Sequence, residues 1–261
     1  MNETEKMMKL ALEAAREAGE YIADHLGKIK EMSYKTGIND PVTDVDKSAE
    51  AIITGKIHRA FPEHSVLAEE GGSRDEDGSD VTWIIDPLDG TVNYAHTFPF
   101  FCVSIGVKRT EEMVLGVVYD PVRDEMFHAI LGGGAFLNGE SIFVSSASEV
   151  KSSLVATGFA YDAEKKEANT GLFVKMIPKA RGVRRPGAAA LDLCYVAAGR
   201  LDGFWELNLS PWDTAAGQLL VTEAGGRVST INGSKYDVFK NDILATNGRI
   251  HNEMSSILLA G

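Results

Sequence analysis

Cysteine is nearly missing from this 261-residue sequence: Cys102 and Cys194 are the two present, and neither stands in a CxxC or Cys/His spacing. That excludes a disulfide-stapled scaffold and a thiolate metal site, and it fits reduced core thiols in a reducing compartment. The six histidines form no HExxH or similar pairing, so an imidazole-held metal has no support either. No apolar run is long enough to span a bilayer, and the start, MNETEKMMKL, places acids before its first apolar residues, unlike a signal peptide. The expected location is the cytoplasm, away from any membrane. Basic residues are also scarce: 26 Lys and Arg face 38 Asp and Glu, for a formal charge of −12 and a pI near 5. Such a surface repels polyanions, so direct nucleic-acid binding is not expected. It would repel a small phosphate ester too, unless metal cations supply local positive charge. What remains is ordinary for a globular protein, with 44% hydrophobic and 25% charged residues and enough length for one large domain or two closely packed halves.

The most informative stretch is Trp83 to Thr91, WIIDPLDGT. Thr82 to Ile85 have the composition of a short buried strand, which ends on a carboxylate, Asp86. Pro87 lacks an amide hydrogen and is expected to stop the ladder there. Asp89-Gly90 is a turn dipeptide, and Thr91 can start a helix whose amides face whatever the carboxylates hold. Taken singly, Asp-Pro and Asp-Gly punctuate many strand ends without any chemistry. Their combination here brings two acids, a carbonyl and a helix start to one place.

Elsewhere the periodicity is clear. Met7, Ala11, Ala14, Ala18, Ile22 and Leu26 mark one stripe of a first helix that Gly27 ends, and residues 29 to 36 read as a strand arm leading from Lys35 into a turn at 37 to 41. Thr43 and Asp46 have capping-box spacing before a second helix with Val45, Ala49, Ile52, Ile53 and Ile57 on its apolar face. A strand at 65 to 68 runs into Glu69-Glu70, and the acidic stretch 73 to 80 reads as a solvated loop. The segments 100 to 108, 113 to 120 and 124 to 131 read as an antiparallel meander. Gly132-Gly133-Gly134 lacks the lysine and helix of a phosphate loop and reads as a turn. From about residue 150 strands and helices alternate: strands at 154 to 157, 202 to 206, 227 to 231 and 242 to 246, and helices at 165 to 179, 189 to 198, 211 to 224 and from about 249. The pattern divides the chain into an N-terminal α+β half, 1–148, and a C-terminal α/β half, 149–261.

The DPLDGT core, a Glu-Glu pair upstream and WDTAAG at 212 to 217 resemble the signature of the inositol monophosphatase family of metal-dependent sugar phosphatases, and the likeness extends over nearly the whole chain. It implies an α/β (α+β) fold, a layered α/β/α/β/α sandwich. It also implies metal ligands at Glu69, Asp86, the Leu88 carbonyl, Asp89 and Asp213, holding two or three Mg²⁺ ions, with Mn²⁺ as a competitor and Asp46 as the holder of a weaker third ion. Thr91 with Glu69 or Asp46 would activate the attacking water. On the substrate side the family implies Asp89, Gly90 and Thr91 around the phosphate, Gly187, Ala188 and Ala189 at a helix start, and Glu206 on the sugar hydroxyls. From the residues alone, Asp213 reads equally as the closing acid of a helix cap after Ser210-Pro211, and Arg184 to Ala190 as a plain helix start.

Physical chemistry explains why such a cluster needs metal. Two carboxylates about 4 Å apart at an effective dielectric near 20 repel by roughly 4 kcal/mol, so several together must be protonated or neutralised by cations. An oxygen-only donor set suits hard ions. The activity implied is Mg²⁺-dependent hydrolysis of myo-inositol 1-phosphate by metal-activated water, in a lithium-sensitive cytoplasmic homodimer. Fructose 1,6-bisphosphate, NADP and adenosine bisphosphate are alternative substrates, and a regulatory partnership with the transcription machinery is the alternative class. Ser210 stands where animal members of the family carry histidine, and the stretch from Tyr161 to Asn169 is one where members differ, so contacts there do not carry over.

Overall fold

The computed structural model describes residues 2–29, 32–34, 41–159 and 163–260. Lys35, most of the expected turn at 37 to 41 and Tyr161 lie outside them. In chain order the elements are α1 (Glu3–Asp24), β1 (Met32–Tyr34), β2 (Pro41–Thr43), α2 (Asp44–Ala60), β3 (Ser65–Ala68), β4 (Gly72–Arg74), β5 (Val81–Asp89), α3 (Thr91–Ala95), β6 (Cys102–Arg109), β7 (Glu112–Asp120), β8 (Glu125–Ile130), β9 (Gly134–Leu137) and β10 (Glu140–Ser141). They continue with β11 (Leu154–Thr157), α4 (Ala163–Met176), β12 (Gly182–Arg184), α5 (Ala189–Ala197), β13 (Gly203–Leu207), α6 (Pro211–Glu223), β14 (Arg227–Ser229), β15 (Asp242–Thr246) and α7 (His251–Leu259). Most expected elements are present, with small shifts at their ends. The acidic stretch is not all loop, because Ser73 and Arg74 belong to β4 and pair back on β3.

An eight-stranded sheet runs β10-β9-β8-β7-β6-β5-β3-β4 and a five-stranded sheet runs β12-β11-β13-β15-β14. Helices α1 and α2 cover one face of the large sheet, α5 and α6 fill the space between the sheets, and α4 and α7 cover the far face of the small one. The result is the expected α/β/α/β/α sandwich. Alternation along the strands divides the core accordingly. In β5, Trp83 and Ile85 pack with α1 and α2 while Ile84 joins the middle layer; in β13, Phe204 faces the middle layer and Trp205 the outer helices.

The middle layer is built on small residues. Gly106 and Gly116 pair across β6 and β7, directly beneath Ala215 and Ala216 of α6. A Cβ on Gly116 would lie 2.7 Å from the Ala216 carbonyl oxygen, and one on Gly106 2.7 Å from the Ala215 Cβ. Helix and sheet therefore meet more closely than larger side chains would allow, and Ser104, also on β6, donates its hydroxyl to the Trp212 carbonyl at 3.3 Å. Ser104 is itself the cross-strand partner of Asp86, so this contact sets the start of α6 beside the end of β5.

Gly116→Ala forces backbone against backbone, which overpacking arguments place at about 1–3 kcal/mol. A lower Tm together with reduced activity is expected, because α6 carries Asp213. A variant that melts like the wild type would show that helix and sheet can separate without cost.

Candidate metal centre

The carboxylates converge where β5 breaks its register. Pro87 does not end the ladder, contrary to expectation: Asp86 pairs with Ser104, pairing lapses across Pro87 and Leu88, and it resumes between Asp89 and Cys102. A missing proline donor is tolerated at such an irregularity, which re-aims the neighbouring side chains. Within this kink the Leu88 amide donates to Asp86 Oδ1 at 3.0 Å. Gly90 follows at φ 95°, and a Cβ there would meet the Phe100 carbonyl at 3.0 Å, so the turn requires glycine.

Asp86, Asp89 and Asp213 form one group whose ligand oxygens lie within 4.8 Å of each other. Asp213 closes a capping box on α6, accepting the Ser210 amide at 2.6 Å, and belongs to the acidic group as well, so cap and ligand are not alternatives. Glu69, just beyond β3, is fixed by its amide to the Ile85 carbonyl at 3.2 Å, and its carboxylate stands beside that of Asp86. The amide of Ala190 reaches Asp89 Oδ2 at 2.7 Å, and that of Ala189 also bonds Asp89. The α5 start expected to face substrate thus directs these two amides at an acid of the group.

A second cluster lies beside the first. Thr91 Oγ1 is 3.1 Å from Asp46 Oδ1 and 3.0 Å from the Leu88 carbonyl. Asp46 Oδ2 accepts the Thr43 amide at 2.9 Å and the Thr43 hydroxyl at 2.5 Å. Asp46 therefore completes the cap of α2 with one oxygen and holds Thr91 with the other. Gly187, at φ 96°, and Ala188 precede α5, while Glu206 lies on β13 with its carboxylate against Gly158. Asn93, whose amide bonds the carbonyls of Phe100 at 2.7 Å and Pro186 at 2.9 Å, ties α3 to that turn.

Electrostatics single out the same residues. Burial, then the charges of Glu69, Asp89 and Asp213, push Asp86 well above the usual carboxylate range. Asp213 is raised similarly by burial and by Asp89 and Glu69. Burial brings Asp89 to about 7 against the opposing Ala190 amide, and Asp46 to about 6 against its bonds from Thr43. Buried, mutually repelling, oxygen-only donors fit a hard divalent cation.

Asn93, Ser104 and Cys102 are supporting residues that the motifs did not indicate, and Ala190, within the expected helix start, serves Asp89. For two of them the signal was the alternation Cys102-Val103-Ser104-Ile105-Gly106-Val107, which places small or polar groups on one face of β6 and bulky ones on the other.

Fold and site together define a buried acidic group that could hold a metal ion, set between the two sheets of a five-layer α/β sandwich. The chain belongs to the inositol monophosphatase family, whose model matches residues 3–259, and is a phosphoric monoester hydrolase of that family. It is similar to an inositol-1-monophosphatase of Synechocystis sp., with 46% identity over 97% of this chain and 88% of that one. The Nus factor SuhB of Escherichia coli is 45% identical over 94% of this chain and 92% of its own length. Among solved structures, the extragenic suppressor protein suhB from Bartonella henselae superposes with a TM-score of 0.93 at 38% identity, covering 98% of this chain and 99% of the other. No helix among the described residues is long and apolar enough to cross a membrane.

Raised carboxyl pKa values favour the folded state at low pH. That stability is fully present below the ordinary value of 3.8 and is lost as pH rises through about 6 for Asp46 and about 7 for Asp89. Melting in chelator should therefore fall behind melting in Mg²⁺ by a gap that widens over this window. A constant gap would show that burial does not hold these carboxyls protonated in the metal-free protein.

Proposed function

We propose that the protein hydrolyses phosphate monoesters of small polyols or sugars, with myo-inositol 1-phosphate as the expected substrate and Mg²⁺ as the metal, replaceable by Mn²⁺. The observation that carries this reading is the buried group of Asp86, Asp89 and Asp213 with Glu69 beside it. Glu69, Asp86 and the Leu88 carbonyl would hold one ion, and Asp86, Asp89 and Asp213 a second, with Asp46 beside a weaker third. When bound, such ions supply the positive charge that stabilises attacking and leaving oxygens in a reaction needing up to about 10²¹-fold acceleration.

The chain's own residues move the proton. With its hydrogen directed to Asp46 Oδ1, Thr91 Oγ1 offers a lone pair to a water O–H. The water proton passes to Thr91 as Thr91 passes its own to Asp46, the water oxygen attacks phosphorus in line, the P–O ester bond breaks, and the leaving oxygen takes a proton from solvent while Asp46 returns its own to solvent. Thr43 orients Asp46 for this step through two hydrogen bonds. Glu69 is the other candidate base. Asp89, with the Gly90 and Thr91 amides, would border the phosphate, and Gly187, Ala188, Ala189 and Glu206 the polyol.

The same reading takes the protein as a cytoplasmic homodimer inhibited by lithium. A regulatory role is a second reading, favoured by the similarity to proteins named Nus factor; the complete set of acids favours catalysis. A panel of phosphate esters assayed with Mg²⁺ tests the proposal, and excess chelator should abolish turnover. Full activity in chelator would end it. Asp213→Asn keeps an oxygen for the Ser210 amide but removes a charge, so stability should change by at most about 1 kcal/mol while kcat drops by roughly 10²-fold or more. Near-normal kcat with unchanged Mg²⁺ dependence would reduce Asp213 to a helix cap.

A further inference from the structure

Of the residues proposed to hold the first two ions, Glu69 alone lies outside a helix or strand. It follows β3 in the turn to β4, a three-residue strand at the exposed edge of the large sheet. Short exposed edges open more readily than central strands, so the direction of Glu69 needs support from another layer. Two peptide planes meet at its Cα. The plane before it is tied to β5 through the Glu69 amide and the Ile85 carbonyl at 3.2 Å. The plane after it is tied to α2, because its N–H, which belongs to Glu70, donates to Glu50 Oε2 at 2.8 Å. The Gly71 amide faces the same carboxylate, and a Cβ on Gly71 would stand 2.7 Å from Glu50 Oε1. The turn therefore sits directly on Glu50. The buried face of α2 is otherwise Val45, Ala49, Ile53 and Ile57, interrupted by Asp46 and, one turn later, by Glu50, which is 8% exposed. A carboxylate costs stability in such a place unless its oxygens are well bonded.

We propose that Glu50 is a positioning residue for Glu69, and that its hold on the turn sets the affinity for the ion assigned to Glu69, Asp86 and the Leu88 carbonyl. The assignment rests on the phosphatase reading above, which gives Glu69 to an ion. With both flanking planes fixed, φ and ψ of Glu69 are fixed too, and its side chain starts from one place beside Asp86. Helix α2 then steadies two sides of the site, Thr91 through Asp46 and Glu69 through Glu50 four residues on. Groups that orient metal ligands from behind are typically worth about 10–100-fold in affinity or activity.

The test measures Mg²⁺ binding to the metal-free proteins by calorimetric titration, the Mg²⁺ concentration for half-maximal hydrolysis of myo-inositol 1-phosphate, and Tm in chelator. Glu50→Leu removes both acceptor oxygens and should weaken Mg²⁺ binding about tenfold or more. Glu50→Gln keeps the length and one oxygen for the Glu70 amide, so it should stay within about threefold of wild type. Gly71→Ala alters no acid, but its added carbon displaces the Glu50 carboxylate, and Mg²⁺ binding should weaken by about threefold or more. This variant decides the question if the leucine protein does not fold. Unchanged Mg²⁺ binding in folded Glu50→Leu or in Gly71→Ala, or a glutamine variant as weak as the leucine one, would overturn the assignment. A lower Tm with unchanged Mg²⁺ binding would likewise reduce Glu50 to an acceptor for the turn. Wild-type protein that neither binds Mg²⁺ nor hydrolyses the ester would overturn the phosphatase reading and this assignment with it.

Discussion

Mutual repulsion among carboxylates held out of water is the constraint on which the rest of this molecule depends. Asp86, Asp89 and Asp213 stand close together, with Glu69 beside Asp86, where burial already disfavours the charged forms of the three aspartates. A chain would not keep such a group for stability alone, since a folded domain has only about 5–15 kcal/mol in total. The group makes sense as one half of an ionic arrangement whose other half is supplied from solution. The excess of acids over bases across the surface adds to the same bias towards cations.

The scaffold answers this repulsion by drawing five acids from four separate parts of the fold. Asp86 and Asp89 come from a kinked central strand, Glu69 from the end of its parallel neighbour, Asp213 from a middle-layer helix and Asp46 from an outer one. None can retreat without moving an element. The Gly106–Gly116 pair and the Ala215–Ala216 stretch bring helix to sheet, and the amides of Ala190 in α5 and of Ser210 just before α6 compensate two of the carboxylates. Packing in the middle layer thus holds together charges that would separate in a looser protein.

Much of this was legible in the sequence. The helix stripes, the meander and the later alternation of strands and helices follow from apolar periodicity, and five acids could be placed from short motifs that resemble a known family. What escaped notice depended on tertiary contacts. Pro87 looked like the end of a strand because a local rule cannot register that Asp89 finds a new partner in Cys102. The amides of Ala189 and Ala190 looked available because nothing local shows that Asp89, a hundred residues earlier, accepts from them. Asp213 looked like a choice between cap and ligand only because sequence counts residues, whereas a carboxylate has two oxygens to give.

That division of labour between oxygens has a kinetic consequence. Asp46 and Asp213 each close a capping box, so the first turns of α2 and α6 are hydrogen-bonded through side chains that also reach Thr91 and the acidic group. Two of the acids proposed to lie at an ion are therefore aimed by helix caps, independently of any cation. Under that proposal, loading would be governed by how readily a cation sheds its own hydration shell, which Mg²⁺ does reluctantly.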